Sequence, residues 1–241
     1  VQRRPGASLV HLGVVIPGGA VEERPDESGL TTLMARTALR GTARRSAARI
    51  AEDAERFGGV PAVGVGSEVF EWTMGVSTRA FADAAELLAD VVLAPTYPED
   101  GLEAERAVAL AALGTLRDDM YRQPMRLASE AAWVGHPYGR SPLGDESVIR
   151  GATVDRVAAW HAARVHASAA ALVVVGDLDP QEAADTLARR FAALRAAPAP
   201  AIAPTVWPAA FTSASRCRVA FAEKLLPTVS RRTVLAGLAG G

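Results

Sequence analysis

The chain has 241 residues, enough for one large domain or for one domain and the start of a second. Hydrophobic residues make up 49% and charged residues 22%, so the chain can bury a sizeable core and is not of the disordered class. A net charge of -1 and an aromatic content of 5% argue against nucleic acid or an anionic membrane as partner. Lys224 is the only lysine and Cys217 the only cysteine, which fits a GC-rich bacterial genome and excludes an internal disulfide or a cysteine-based zinc cluster. Every apolar run is interrupted before it reaches membrane-spanning length. The expected location is therefore soluble, in a bacterial cytoplasm or cell envelope. VQRRPGASLV at the start carries no initiator Met and no signal-peptide pattern, and the end stops within an apolar stretch, so a fragment of a longer protein is expected.

In chain order, Leu9 to Ile16 reads as a strand closed by Pro17-Gly18-Gly19. Ser28-Gly29 opens a helix with Leu30, Leu33, Met34 and Ala38 at helical spacing, ended by Gly41-Thr42. A second helix, about Ser46 to Phe57, has Ser46 as N-cap and Gly58-Gly59 as its stop. Strands are expected over Val60 to Val65 and Glu68 to Ser77, rich in valine and aromatics. Phe81 to Leu93 is an amphipathic helix, Glu99 to Arg117 a long one, and a further helix starts after Pro124 and runs through Trp133. GHPYGRSPLGD reads as a surface loop. Thr153 caps a helix to about Val165, Ala169 to Val175 is a buried strand, and Pro180 starts a helix to about Leu194. Residues 1–195 thus form one domain. An Ala/Pro-rich linker over 196–208 leads to strands in 209–241, read as the truncated start of a second, similar domain. Helices and strands are grouped rather than strictly alternating, which gives an α+β class.

Three segments carry a resemblance: GGAVEERPDESGLTTLMARTALRGT from Gly18 to Thr42, FGGVPAV followed by a strand, and GHPYGRSPLGDESVIRGATVDRVAAWHAARVHASAAALVVVGDLDP. In this order and spacing they are similar to the insulinase, pitrilysin and mitochondrial-processing-peptidase family, over about residues 8 to 195. The resemblance implies a mostly antiparallel sheet with helices on one face, in a domain usually found duplicated. It also implies zinc hydrolysis by His-x-x-Glu-His and a later Glu: two His on one helix face hold zinc, and the Glu between them deprotonates the bound water. In register with Gly29 and Gly41-Thr42, however, Thr32 and Arg36 stand at the His positions and Ala35 at the general base. The helix AERAVALAAL places Ala112 at the third ligand, with seventy-five residues between Arg36 and Ala112. Threonine is a poor zinc ligand, alanine has no donor, and arginine is a fixed cation. The expectation is a degenerate site: no catalytic residue, no cofactor in this chain, and zinc in an active partner. Ala62 likewise stands where the family commonly has an Asn that holds the substrate backbone.

Other groups offer no alternative chemistry. His161 and His166 are five apart on different helix faces, with His136 in a loop and His11 in a strand, so surface or satisfied histidines are expected. Glu22-Glu23 and Asp118-Asp119 read as solvated loop charges. No Gly-x-Ser-x-Gly elbow and no phosphate loop occurs. Two readings of Arg36 stay open: a functional cation facing a shared peptidase chamber, or a group that pairs with a carboxylate at the old metal position or faces solvent. The sequence therefore reads as a non-catalytic half or subunit that encloses and orients peptide for an active zinc-bearing half, in a hetero- or intramolecular dimer. The resemblance implies that the second domain, beyond Gly241, would supply an Arg and a Tyr. A structural or assembly subunit with no proteolytic role is the alternative.

Overall fold

The computed structural model describes residues 1–165 and 170–194. The linker and second-domain strands expected after residue 195, and His166, lie outside the described residues. The elements are β1 (Gln2–Arg3), β2 (Leu9–Pro17), α1 (Leu30–Thr37), α2 (Ala47–Phe57), β3 (Ala62–Val65), β4 (Val69–Ser77) and α3 (Phe81–Leu93). They continue with α4 (Glu99–Asp118), α5 (Arg122–Ala132), α6 (Glu146–Gly151), α7 (Val154–Arg164), β5 (Ala171–Gly176) and α8 (Pro180–Arg190).

The strands form one five-stranded sheet in the order β1-β5-β2-β4-β3. Every pairing is antiparallel except β1 with β5, so the α+β class and the mostly antiparallel sheet stand. Strand periodicity decides the faces. Val10, Leu12, Val14 and Ile16 of β2 and Phe70, Trp72, Met74 and Val76 of β4 are buried on one face, against the helices. On the other face Leu9 and Val173 are exposed, each more than 40%.

The central helix α1 packs between sheet and outer helices, with Leu30, Thr31, Leu33, Met34, Ala35 and Thr37 all buried. Trp72, fully buried beneath it, donates its indole N–H to the Ala35 carbonyl at 2.9 Å. Trp72→Phe removes this bond and leaves a small void, and is expected to cost about 2 kcal/mol. A urea midpoint unchanged from wild type would show that the indole anchors nothing. Gly29, just before α1, has φ 98°, and a Cβ there would lie 2.8 Å from the Gly144 Cα. Gly144 (φ 85°) meets Gly29 in the same way, so two backbones touch and seat the loop before α6 on the start of α1.

Side-chain caps account for several helix starts. Ser46, Thr153 and Asp179 accept hydrogen bonds from first-turn N–H groups of α2, α7 and α8. Four expectations need correction. The helix expected after Pro124 starts at Arg122, because Asp119 Oδ1 accepts from the N–H of Tyr121 (2.9 Å) and of Arg122 (2.7 Å), and Pro124 sits in the first turn, where no N–H is needed. β3 begins at Ala62, since Pro61 has no N–H for the ladder. The last helix stops at Arg190, where a turn closed by Leu194 N–H on the Phe191 carbonyl (3.0 Å) replaces it. β5 begins at Ala171 and extends to Gly176. Two elements were not anticipated: β1, held to β5 by backbone pairing, and α6, capped by Asp145.

Candidate functional site

The positions singled out in the sequence meet where α1 packs on α4. Thr32 and Arg36, four residues apart, share one face of α1. Thr32 is half-buried, and its hydroxyl donates to the Pro142 carbonyl at 2.6 Å, tying α1 to the loop before α6. Ala35 is fully buried over Trp72 and offers only a methyl group. Arg36 reaches across to α4 and donates from Nε to Glu105 Oε2 at 2.6 Å. One turn on, Arg40 takes the other carboxylate oxygen, Glu105 Oε1, from Nε at 2.8 Å and from Nη2 at 2.6 Å. Ala112 lies two turns further along α4 from Glu105, half-buried and without a donor atom.

Of the two readings of Arg36, the geometry realises pairing with a carboxylate. The charges are unequal in both number and exposure. The Glu105 side chain is 5% exposed, whereas those of Arg36 and Arg40 are 42% and 40% exposed. A buried carboxylate is tolerated only with such partners, because taking an unpaired charge out of water costs several kcal/mol.

These residues do not fit zinc. Of the three positions expected from the sequence to correspond to metal ligands, Thr32 is a hydroxyl already donating to a carbonyl, Ala112 offers a methyl, and Arg36 is a permanent cation. Zinc needs deprotonated nitrogen, sulfur or carboxylate donors around an ion that a guanidinium repels. Among the described residues, no other group of three or more His, Cys, Asp or Glu side chains converges. The described histidines lie apart: His11 on the exposed side of β2, His136 accepting the Tyr138 N–H on Nδ1 at 3.2 Å, and His161 with Nε2 2.9 Å from the Val92 carbonyl.

The expectation for Glu22-Glu23 was wrong. Glu23 is 2% exposed and caps α1, accepting from Gly29 N–H and Thr31 N–H at 2.8 Å each. Glu22 pairs with Arg164. Thr31 in turn takes the indole N–H of Trp160 at 3.1 Å. Burial raises the Glu23 carboxyl above the ordinary glutamate value of 4.5, with the two backbone N–H groups opposing. A raised folded value means that the stability contributed by Glu23 is complete below pH 4.5 and is lost as pH rises through the raised value. The gap in stability between wild type and Glu23→Gln is therefore expected to shift against wild type as pH climbs from 4.5 toward neutrality. A gap independent of pH over that range in urea titrations would contradict this.

Glu105, Arg40 and Glu23 are the functional-site residues that sequence reasoning missed. For Glu105 the only available signal was a single acid on the inward stripe of AERAVALAAL, two turns before Ala112.

Residues 1–146 match the family described as insulinase (peptidase family M16). The chain belongs to the insulinase peptidase family. Among relatives of this insulinase-family chain, an uncharacterized zinc protease of Bacillus subtilis, YmxG, is 26% identical over 149 residues, 62% of this chain and 36% of that protein. The mitochondrial-processing peptidase subunit alpha of Solanum tuberosum is 28% identical over 148 residues, 60% of this chain and 28% of that protein. The fold matches the crystal structure of a peptidase M16 inactive domain from Pseudomonas fluorescens with a TM-score of 0.74 at 22% identity, over 81% of this chain and 48% of that one. This insulinase-family chain thus spans less than half the length of each of the three. Among its described residues, no helix is long and apolar enough to cross a membrane.

Proposed function

We propose that the chain is the non-catalytic half of an insulinase-type zinc peptidase, and that it helps to enclose and orient a peptide for a partner half that holds the zinc. The observation that carries the reading is the Arg36–Glu105–Arg40 ion cluster. On this reading it stands at the family's metal position, with the methyl group of buried Ala35 where the general base would belong. Thr32, Ala35, Arg36 and Ala112 are then the vacated catalytic positions, and the scaffold around them is retained. Family membership supports a peptide as the bound species. The existence of a family-related domain described as inactive supports a division of labour between halves. Under this reading the residues after 195 lead into a second, similar domain.

The test uses the purified chain, its metal content by mass spectrometry, and a quenched fluorescent unfolded peptide. Expected are zinc well below one equivalent, no turnover by the chain alone, and a clear gain in turnover when it is added to an insulinase-type chain from the same source with an intact His-x-x-Glu-His. Stoichiometric zinc with turnover by the chain alone would falsify the proposal. Stable association that leaves the partner's turnover unchanged would replace it with an assembly role.

A further inference from the structure

We infer that the guanidinium pair anchored on Glu105 is a carboxylate-binding site, and that it takes a peptide segment in which an aliphatic residue precedes a free carboxylate. The inference rests on the proposed peptide-orienting role and adds the chemistry of what is held. Its first support is charge. One buried carboxylate holds two guanidiniums, leaving one positive charge uncompensated within the cluster. Its second is donor geometry. Arg36 spends only Nε on Glu105, and Arg40 spends Nε and Nη2, so both terminal nitrogens of Arg36 and Nη1 of Arg40 make no hydrogen bond among the described residues. A guanidinium is planar and cannot lose its charge, and its outer N–H groups match the two oxygens of a carboxylate.

The third support is the neighbouring cavity. A recess of about 290 Å³ is lined by Leu39, Ile50, Ala54, Val60 and Pro61, with Arg40 and Glu105 also in its wall. Its apolar lining suits an aliphatic side chain, and the cation in the wall suits the carboxylate next to that side chain. Glu105 fixes both arginines in place, so their rotamer freedom is spent on folding rather than on binding. One acid opposes the ligand: Glu55, exposed on α2, also lines the recess. Its removal should strengthen binding without touching the anchor.

The experiment is fluorescence anisotropy on the full chain with three labelled, unstructured decapeptides. One ends in leucine with a free carboxylate, one is its C-terminal amide, and one is an amide with an internal Leu-Glu pair. The free acid is expected to bind about tenfold or more tighter than the amide, the scale of a charge-assisted paired contact. Arg36→Gln and Arg40→Gln each leave the other arginine on Glu105. Each should erase the preference for the acid while the circular dichroism spectrum and urea midpoint stay near wild type. Glu55→Gln should tighten binding of the acid, whereas Glu105→Gln, which releases the two arginines from their anchor, should weaken the preference for the acid.

Binding of the Leu-Glu amide as tight as that of the acid would assign the site to acidic side chains; preference for the acid alone would assign it to chain ends. Equal binding of all three peptides, no binding of any, or displacement by millimolar inorganic phosphate without a preference for acid over amide would each overturn the inference. None of these results depends on zinc or turnover, so the inference can fail while the non-catalytic reading stands. Conversely, turnover by the chain alone would remove that reading whatever the anisotropy shows.

Discussion

Replacing Arg36 and Arg40 together by alanine is expected to cost the fold about 3 kcal/mol, and adding Glu105→Leu to that variant should recover most of the loss. The three groups are unequally exposed. Glu105 is 4% exposed and has no other ion-pair partner among the described residues, so the double variant leaves a bare carboxylate between α1 and α4. Removing one side of a buried pair typically costs 3–5 kcal/mol, about the lower figure here because the arginine ends are already solvated. Replacing the whole cluster with apolar groups of similar volume is often neutral. The signature is therefore a non-additive cycle, read from urea midpoints: modest single-arginine losses, a large double loss, and recovery in the triple variant. A triple variant no more stable than the double would mean that Glu105 does not depend on these arginines.

Gly59→Ala is expected to be as damaging or worse, about 3 kcal/mol at the upper end of overpacking costs. A Cβ at this position would lie 1.7 Å from the Gly75 carbonyl oxygen in β4, a backbone atom that cannot swing aside. The turn from α2 into β3 would have to lift off the sheet, taking Val60 and Pro61 with it. Its neighbour provides the control. Gly58 sits at φ 86° with nothing within 4 Å of its Cβ position, so Gly58→Ala pays only backbone strain, about 1 kcal/mol. Gly58 and Gly59 both donate to the Ala54 carbonyl at 3.1 Å, closing α2 in the manner of a Schellman motif. Thermal unfolding of the two variants should rank Gly59→Ala clearly below Gly58→Ala, and the reverse order would refute the close-approach argument.

What could be read from the sequence was what is local. Leu30, Leu33 and Met34 repeat at helical spacing, Phe70, Trp72 and Met74 alternate, and Ser46, Thr153 and Pro180 punctuate helix starts by chemistry confined to one turn. The features that escaped depend on partners far along the chain. Arg36 and Glu105 are 69 residues apart, and nothing near either announces the other. Glu23 beside Glu22 looks like a loop charge until α1 lays its first N–H groups on it. β1 has no apolar pattern because its place is fixed by backbone pairing, with Arg4 N–H on the Gly176 carbonyl at 2.8 Å. α6 is a single short helix whose formation relies on Asp145 accepting the Ser147 N–H at 2.8 Å. The assignment of Thr32, Ala35, Arg36 and Ala112 to vacated positions is a proposal that rests on the pattern of glycines around them, and that pattern says nothing of what their side chains touch.

The bond from the Thr32 hydroxyl to the Pro142 carbonyl has a historical consequence. Under the proposed reading, Thr32 is more than the residue of a lost histidine, because it now fastens α1 to the loop before α6. Arg36, likewise, neutralises a carboxylate that would otherwise be stranded. Any lineage that restored histidines here one at a time would break a working contact at each step, before a metal could repay the loss. Such a domain is held in its altered state by its own packing, and change in it is steered toward the surface it shows a partner rather than back toward chemistry.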